Sequence, residues 1–116
     1  MKNVKLGIIG LGYIGQVHLR HSLKLANAEV AAVADVSPKA LERAKSFGVK
    51  KAYNDYADLL KDPEVDAVLI SLPTHLHLKC SQQAAEAKKD IFLEKPIAVT
   101  TIEAKEIISV AQRNNV

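Results

Sequence analysis

The sequence predicts an α/β domain built on a parallel sheet, and three observations predict it. Short, apolar, β-branched runs alternate with longer amphipathic stretches, the rhythm of strand–helix–strand units. Some of these runs are apolar at nearly every position, as strands covered on both faces must be. The first run leads directly into Gly10-Leu11-Gly12-Tyr13-Ile14-Gly15, which opens a helical stretch.

Residues 4–9 read as the first strand, residues 10–15 as a turn, and a helix continues to about Leu25. Residues 28–34 form a second strand that Asp35 ends. Ser37 then N-caps a helix with Pro38 at its first position, where a missing N–H costs nothing. That helix closes near Phe47, with Gly48 as its stop. Residues 51–53 are a short third strand at an edge. Asp55 caps a small helix through Leu60, and Asp62-Pro63 makes a turn. Residues 65–70 are a fourth strand, residues 71–74 a loop, and a helix runs on to about Lys88. Residues 90–93 are the fifth strand. Thr100 or Thr101 caps the last helix, with Glu103 in its first turn. Right-handed crossovers then give the order 3-2-1-4-5.

At 116 residues the chain has room for one domain. A chain of this size buries roughly two thirds of its unfolded surface, and 48% hydrophobic residues supply the core and exclude disorder. No apolar run approaches about 18 residues, so no membrane span is expected. The start, Met1-Lys2-Asn3, leads into a run too short for a signal-peptide core. Cys80 is the one cysteine, expected as a half-buried, reduced thiol in a cytoplasmic protein. The net charge of +3 comes from 13 Lys and 3 Arg scattered among acids, and aromatics are only 4%. That is a solvated surface, not a nucleic-acid platform.

Each glycine of G-x-G-x-x-G has its own task. Gly10 makes the tight turn, Gly12 lets the backbone approach a pyrophosphate, and Gly15 lets the helix sit close to the strand. The free N–H groups at the helix start, those of Tyr13 and Ile14 among them, then face anionic phosphates. The spacing therefore predicts a Rossmann-type, doubly wound dinucleotide-binding domain. Asp35 lies 20 residues past Gly15, where a carboxylate accepts hydrogen bonds from the adenosine ribose. A 2′-phosphate would meet like charge there, so NAD is expected over NADP. The same Asp also suits an Asx turn with Ser37. Lys39 is the nearest cation and is expected on the solvent face of its helix.

Glu94-Lys95-Pro96 follows the fifth strand. Ligands of open α/β sheets bind beyond the carboxyl ends of the strands, so Lys95 is aimed at the nicotinamide end. A lysine there can hold a hydroxyl and help move its proton. The spacing is equally that of a surface Glu–Lys pair before a strand-ending proline.

The glycine motif, Asp35, the loop Ser71-Leu72-Pro73-Thr74-His75 followed by His77, and above all Glu94-Lys95-Pro96 resemble the N-terminal domain of the glucose–fructose oxidoreductase, inositol dehydrogenase and rhizopine-catabolism (Gfo/Idh/MocA) family. The resemblance covers nearly the whole chain. It implies hydride transfer between a nicotinamide cofactor and a hydroxyl-bearing carbon of a sugar, cyclitol or similar small molecule. It implies that Lys95 contacts the nicotinamide ribose or the reacting hydroxyl. It places Ser71, Leu72, Pro73 and His77 in the loop and helix start beside the cofactor, with Glu94 and Pro96 flanking the lysine. It also implies a sixth strand and a larger second domain, both absent from these 116 residues, so a fragment is expected rather than a stand-alone relic.

The rival function is an NAD(H)-binding sensor without turnover, which has no need of Lys95. His18 and His21, three apart, are expected as exposed helix residues. His75, His77 and Cys80 could suggest a metal cluster, but no metal is expected. The family's usual glycine before the fifth strand is Lys88 here, so Lys88 or Lys89 is expected at positive φ. An uncovered fifth strand predicts self-association or a last helix folded over the gap.

Overall fold

The structure, a computed structural model, describes residues 3–116; Met1 and Lys2 lie outside them. Strands and helices alternate as β1 (Val4–Ile9), α1 (Tyr13–Ser22), β2 (Ala28–Ala34), α2 (Pro38–Ser46), β3 (Lys51–Tyr53), α3 (Tyr56–Leu60), β4 (Ala67–Ile70), α4 (His77–Glu86), β5 (Asp90–Leu93) and α5 (Thr101–Arg113). All pairings are parallel and the order is β3-β2-β1-β4-β5, the predicted topology.

Side chains alternate across each strand, so β1 and β2 supply both faces of the sheet. Ile8 and Val33 pack with Leu19 and Ala44 on the α1–α2 side. Ile9, Ala32 and Ala34 pack with Leu59, Cys80 and Ala84 on the α3–α4 side. Burying an Ile or Val side chain contributes about 2 kcal/mol each. This explains why the central strands carry no polar residue at their carboxyl halves.

Caps fall where side-chain oxygens can reach the second or third N–H of a helix. Ser37 Oγ accepts from Ala40 N at 3.3 Å, Asp55 from Ala57 N at 2.9 Å, and Thr100 Oγ1 from Glu103 N at 3.1 Å. Thr100, not Thr101, is thus the final N-cap. Three expected boundaries move. α1 ends at Ser22, because Lys24 and Leu25 donate back to His21 and Ser22 in tight turns. β4 begins at Ala67, because Val65 N donates to Asp62 O within the preceding turn. A 3-10 turn, Thr74–Leu76, precedes α4.

Lys88 has φ 62°, as the missing glycine required. Its N–H donates to Ala85 O, and Lys89 N–H to Ala84 O, closing the helix with two crossed bonds. α5 packs along α4, burying Ile107 and Val110. The β5 edge keeps Phe92 61% exposed. Among the described residues, no helix is long and apolar enough to cross a membrane.

Candidate cofactor site

The glycine loop joins β1 to α1 at the carboxyl edge of the sheet. Gly10 has φ 93°, its N–H donates to Ala34 O at 2.9 Å, and a Cβ there would stand 2.7 Å from the Ser71 carbonyl oxygen. A Cβ on Gly15 would collide with the Gly10 carbonyl, so α1 can lie this close to its strand only with glycine. A Cβ on Gly12 would meet nothing within 4 Å. Gly12 N-caps α1 with extended backbone and no side-chain hydrogen bond. The first turn of α1 thus offers N–H groups without a side-chain cap to open space, the arrangement an anion fills.

Asp35 follows β2, with its N–H donating to Tyr53 O at 3.1 Å. Its Oδ1 accepts from Ser37 N at 2.8 Å and its Oδ2 from Leu11 N at 2.7 Å. The Asx turn is therefore made, and the carboxylate also ties the glycine loop to β2. A carboxylate has about four acceptor sites, which leaves capacity for ribose hydroxyls. Beside Asp35 a cavity of about 350 Å³ is lined by Lys39 and Arg43. Arg43, one helical turn beyond Lys39, is a cation that reading along the sequence did not bring to Asp35.

A larger groove of about 850 Å³ runs along the carboxyl edge. It gathers Gly10, Gly12, Tyr13, Ile14, Asp35, Ser71, Leu72 and Pro73, eight of the sequence-predicted residues. Tyr13 stands 81% exposed at its mouth. The groove also takes in Val36, Asn54, Asp55 and Tyr56, which sequence reasoning missed. The signal was available for the last three, since a third parallel strand must also end at this edge.

Gly15, His77, Glu94, Lys95 and Pro96 do not line the groove. His77 is 1% exposed at the start of α4. Its Nε2 meets Leu72 O at 2.9 Å and its Nδ1 meets Ile97 O at 3.0 Å. It therefore bolts the groove wall to the segment after β5. Both ring nitrogens are engaged, His75 is exposed and Cys80 is fully buried, so the three do not converge on a common point. Cys80 is not the half-buried thiol expected: α4 turns it into the core, and burial pushes its pKa up to about 12.

His18 likewise departs from expectation. It is half-buried, and its Nε2 lies 2.6 Å from Glu94 Oε2. Glu94 therefore pairs with α1 rather than with the Lys95 side chain. Lys95 is exposed beyond β5, and the Lys95–Pro96 peptide is cis.

A parallel sheet in this order, a glycine turn closing on an open helix start, and an acid ending β2 define a dinucleotide-binding domain. Residues 4–116 match the oxidoreductase family with an NAD-binding Rossmann fold, Gfo/Idh/MocA, and the chain belongs to it as its NAD-binding domain. Inositol 2-dehydrogenase of Salmonella typhimurium is 38% identical over 96% of the chain, and myo-inositol 2-dehydrogenase of Thermotoga maritima 35% over 97%. A crystal structure of scyllo-inositol dehydrogenase from Lactobacillus casei, with bound NAD(H) and scyllo-inositol, superimposes at a TM-score of 0.92 with 32% identity over 98% of the chain. In each case the chain spans 34% of the relative's length.

Proposed function

We propose that this chain is the cofactor-holding, N-terminal domain of a two-domain oxidoreductase. The whole enzyme would move a hydride between NAD and a hydroxyl-bearing carbon of a cyclitol, sugar or similar small molecule. The observation that carries the reading is the groove itself, where the open α1 start and Asp35 share one wall system with Ser71, Leu72 and Pro73. The uncapped N–H groups of Tyr13 and Ile14 fit the pyrophosphate, and the bare Gly12 leaves room for it. Asp35 holds the adenosine ribose. Ser71, Leu72 and Pro73, backed by His77, line the path toward the nicotinamide. Bound NAD supplies the hydride acceptor. Lys95, between Glu94 and Pro96, would reach the nicotinamide ribose or the substrate hydroxyl, and at the hydroxyl it would hold the oxygen and help move its proton off to a base or solvent as the carbon gives up its hydride.

The β5 edge, where Phe92 stands 61% exposed, supports self-association when no further strand covers it. A cytoplasmic enzyme without nucleic-acid or membrane partners completes the reading. Calorimetric titration tests the core of it. NAD should bind at least about tenfold more tightly than NADP, a difference of about 1.4 kcal/mol. Equal affinities would remove the assignment of Asp35. The 116-residue chain should bind NAD without turning over polyols. Steady turnover would refute the need for a further domain.

A further inference from the structure

The segment that carries Lys95 is suspended between two histidines. At its far end, the Ile97 carbonyl lies 3.0 Å from His77 Nδ1. At its near end, Glu94 N donates to Ile70 O at 3.0 Å, one step beyond the last β4–β5 register pair. The sheet therefore fixes the Glu94 backbone. Its side chain then folds over the strand end. Oε1 accepts the N–H of Lys95 at 3.2 Å, and Oε2 meets His18 Nε2 at 2.6 Å. The His18 ring stands edge-on to Phe92, with centroids 6.0 Å apart and planes at 65°. Both members of the pair are only 24% exposed. The His18 contact holds the Glu94 carboxyl below its usual range against the opposing pull of burial, and the Lys95 N–H adds to this.

His18 has no part in the cofactor contacts proposed above, yet it sits on α1 within a turn of Gly15. α1 is the helix whose first turn faces the phosphates. The geometry points to His18 as a positioning residue: through the Glu94 carboxylate it sets the Lys95 backbone relative to the helix that receives the cofactor. This rests on the reading of Lys95 as the group at the nicotinamide end. A mere brace between α1 and β5 would affect folding alone. A positioning contact must also discriminate between nucleotides with and without a nicotinamide.

The test uses the whole chain with His18→Ala, His18→Gln and Lys95→Ala. The Lys95 amide is followed by ¹⁵N NMR, and NAD and ADP-ribose, which lacks the nicotinamide, are titrated into each. His18→Ala should move the Lys95 amide signal and weaken NAD by about fivefold, while ADP-ribose stays within about twofold. His18→Gln, whose terminal N–H reaches as far as Nε2, should restore both. An unmoved Lys95 amide, equal weakening of both nucleotides, or no rescue by Gln overturns the proposal. If Lys95→Ala leaves NAD affinity unchanged, the role given to Lys95 falls, and the amide signal still decides whether His18 sets that backbone.

Discussion

The two ends of the sheet are built from similar residue types to opposite purposes. At the amino end, polar groups consume one another. Asp62, 6% exposed, accepts from Lys51 Nζ at 3.1 Å, Tyr53 OH at 2.9 Å and Glu64 N at 2.9 Å. Lys89, 8% exposed, donates to the carbonyls of Asp62 at 2.9 Å and Val65 at 2.7 Å. At the carboxyl end, the α1 start is uncapped, Gly12 faces open space and Lys95 is exposed. One end is closed by internal satisfaction, which stabilises. The other leaves donors unspent, which is what a ligand site requires. Polar and charged residues stand at both ends, and the difference that marks the site is a helix start left without a side-chain cap.

Substitutions should separate the two ends. The largest effect is expected at the carboxyl end for Gly15→Ala. The new Cβ collides with backbone rather than a movable side chain, so destabilisation of about 3 kcal/mol should accompany loss of NAD binding. Urea melts and NAD titration would measure both; an unchanged midpoint would mean that α1 can retreat from its strand. Asp62→Ala comes next. It strands the Tyr53 hydroxyl and the Glu64 N–H, and should cost about 2 kcal/mol while leaving NAD affinity within about twofold. A matching loss of NAD affinity would erase the distinction between the ends.

The third prediction concerns acid. Burial pushes the Asp62 carboxyl up, but the Glu64 N–H, Lys51 and Tyr53 outweigh it and hold it below its usual value. A depressed folded pKa contributes stability that is fully present above the unfolded value, about 3.9, and is lost as pH falls through the folded one. Stability should therefore decline below about pH 4, and Asp62→Asn should flatten that decline. Chemical melts at a series of pH values would show it, and an identical slope in the variant would discharge Asp62 from the role.

The smallest effect belongs to Lys88→Gly. Glycine relieves a left-handed φ that costs roughly 1 kcal/mol for lysine. It also removes the exposed contacts of Nζ with Asn114 O at 3.3 Å and Oδ1 at 3.1 Å, and a cation near the end of α4 worth about 0.3–1 kcal/mol. The change should be neutral or mildly stabilising, within about 0.5 kcal/mol. A clear loss would show that tying α4 to the end of α5 matters more than backbone strain.

What the sequence by itself determined is local or periodic. Apolar runs marked every strand but β3, glycine spacing marked the phosphate turn, and Ser37, Asp55 and the Thr100–Thr101 pair marked helix starts, because each signal acts over a few residues. The place of Asp35 was legible because strand length and crossover geometry fix it relative to the glycines. A positive φ at Lys88 or Lys89 was legible for a similar reason, since an abrupt helix stop requires one whatever residue supplies it, and the structure puts it at Lys88. Only the tertiary structure decided which polar groups meet. His18 and Glu94 are 76 positions apart, and His77 and Ile97 are 20 apart. Such pairs depend on how α1 and α4 sit against the segment that leaves β5, and no periodicity encodes that. The same holds for Arg43 beside Asp35 and Cys80 in the core. A helix pattern fixes which residues share a face. The packing of that face against one particular neighbour fixes what they touch.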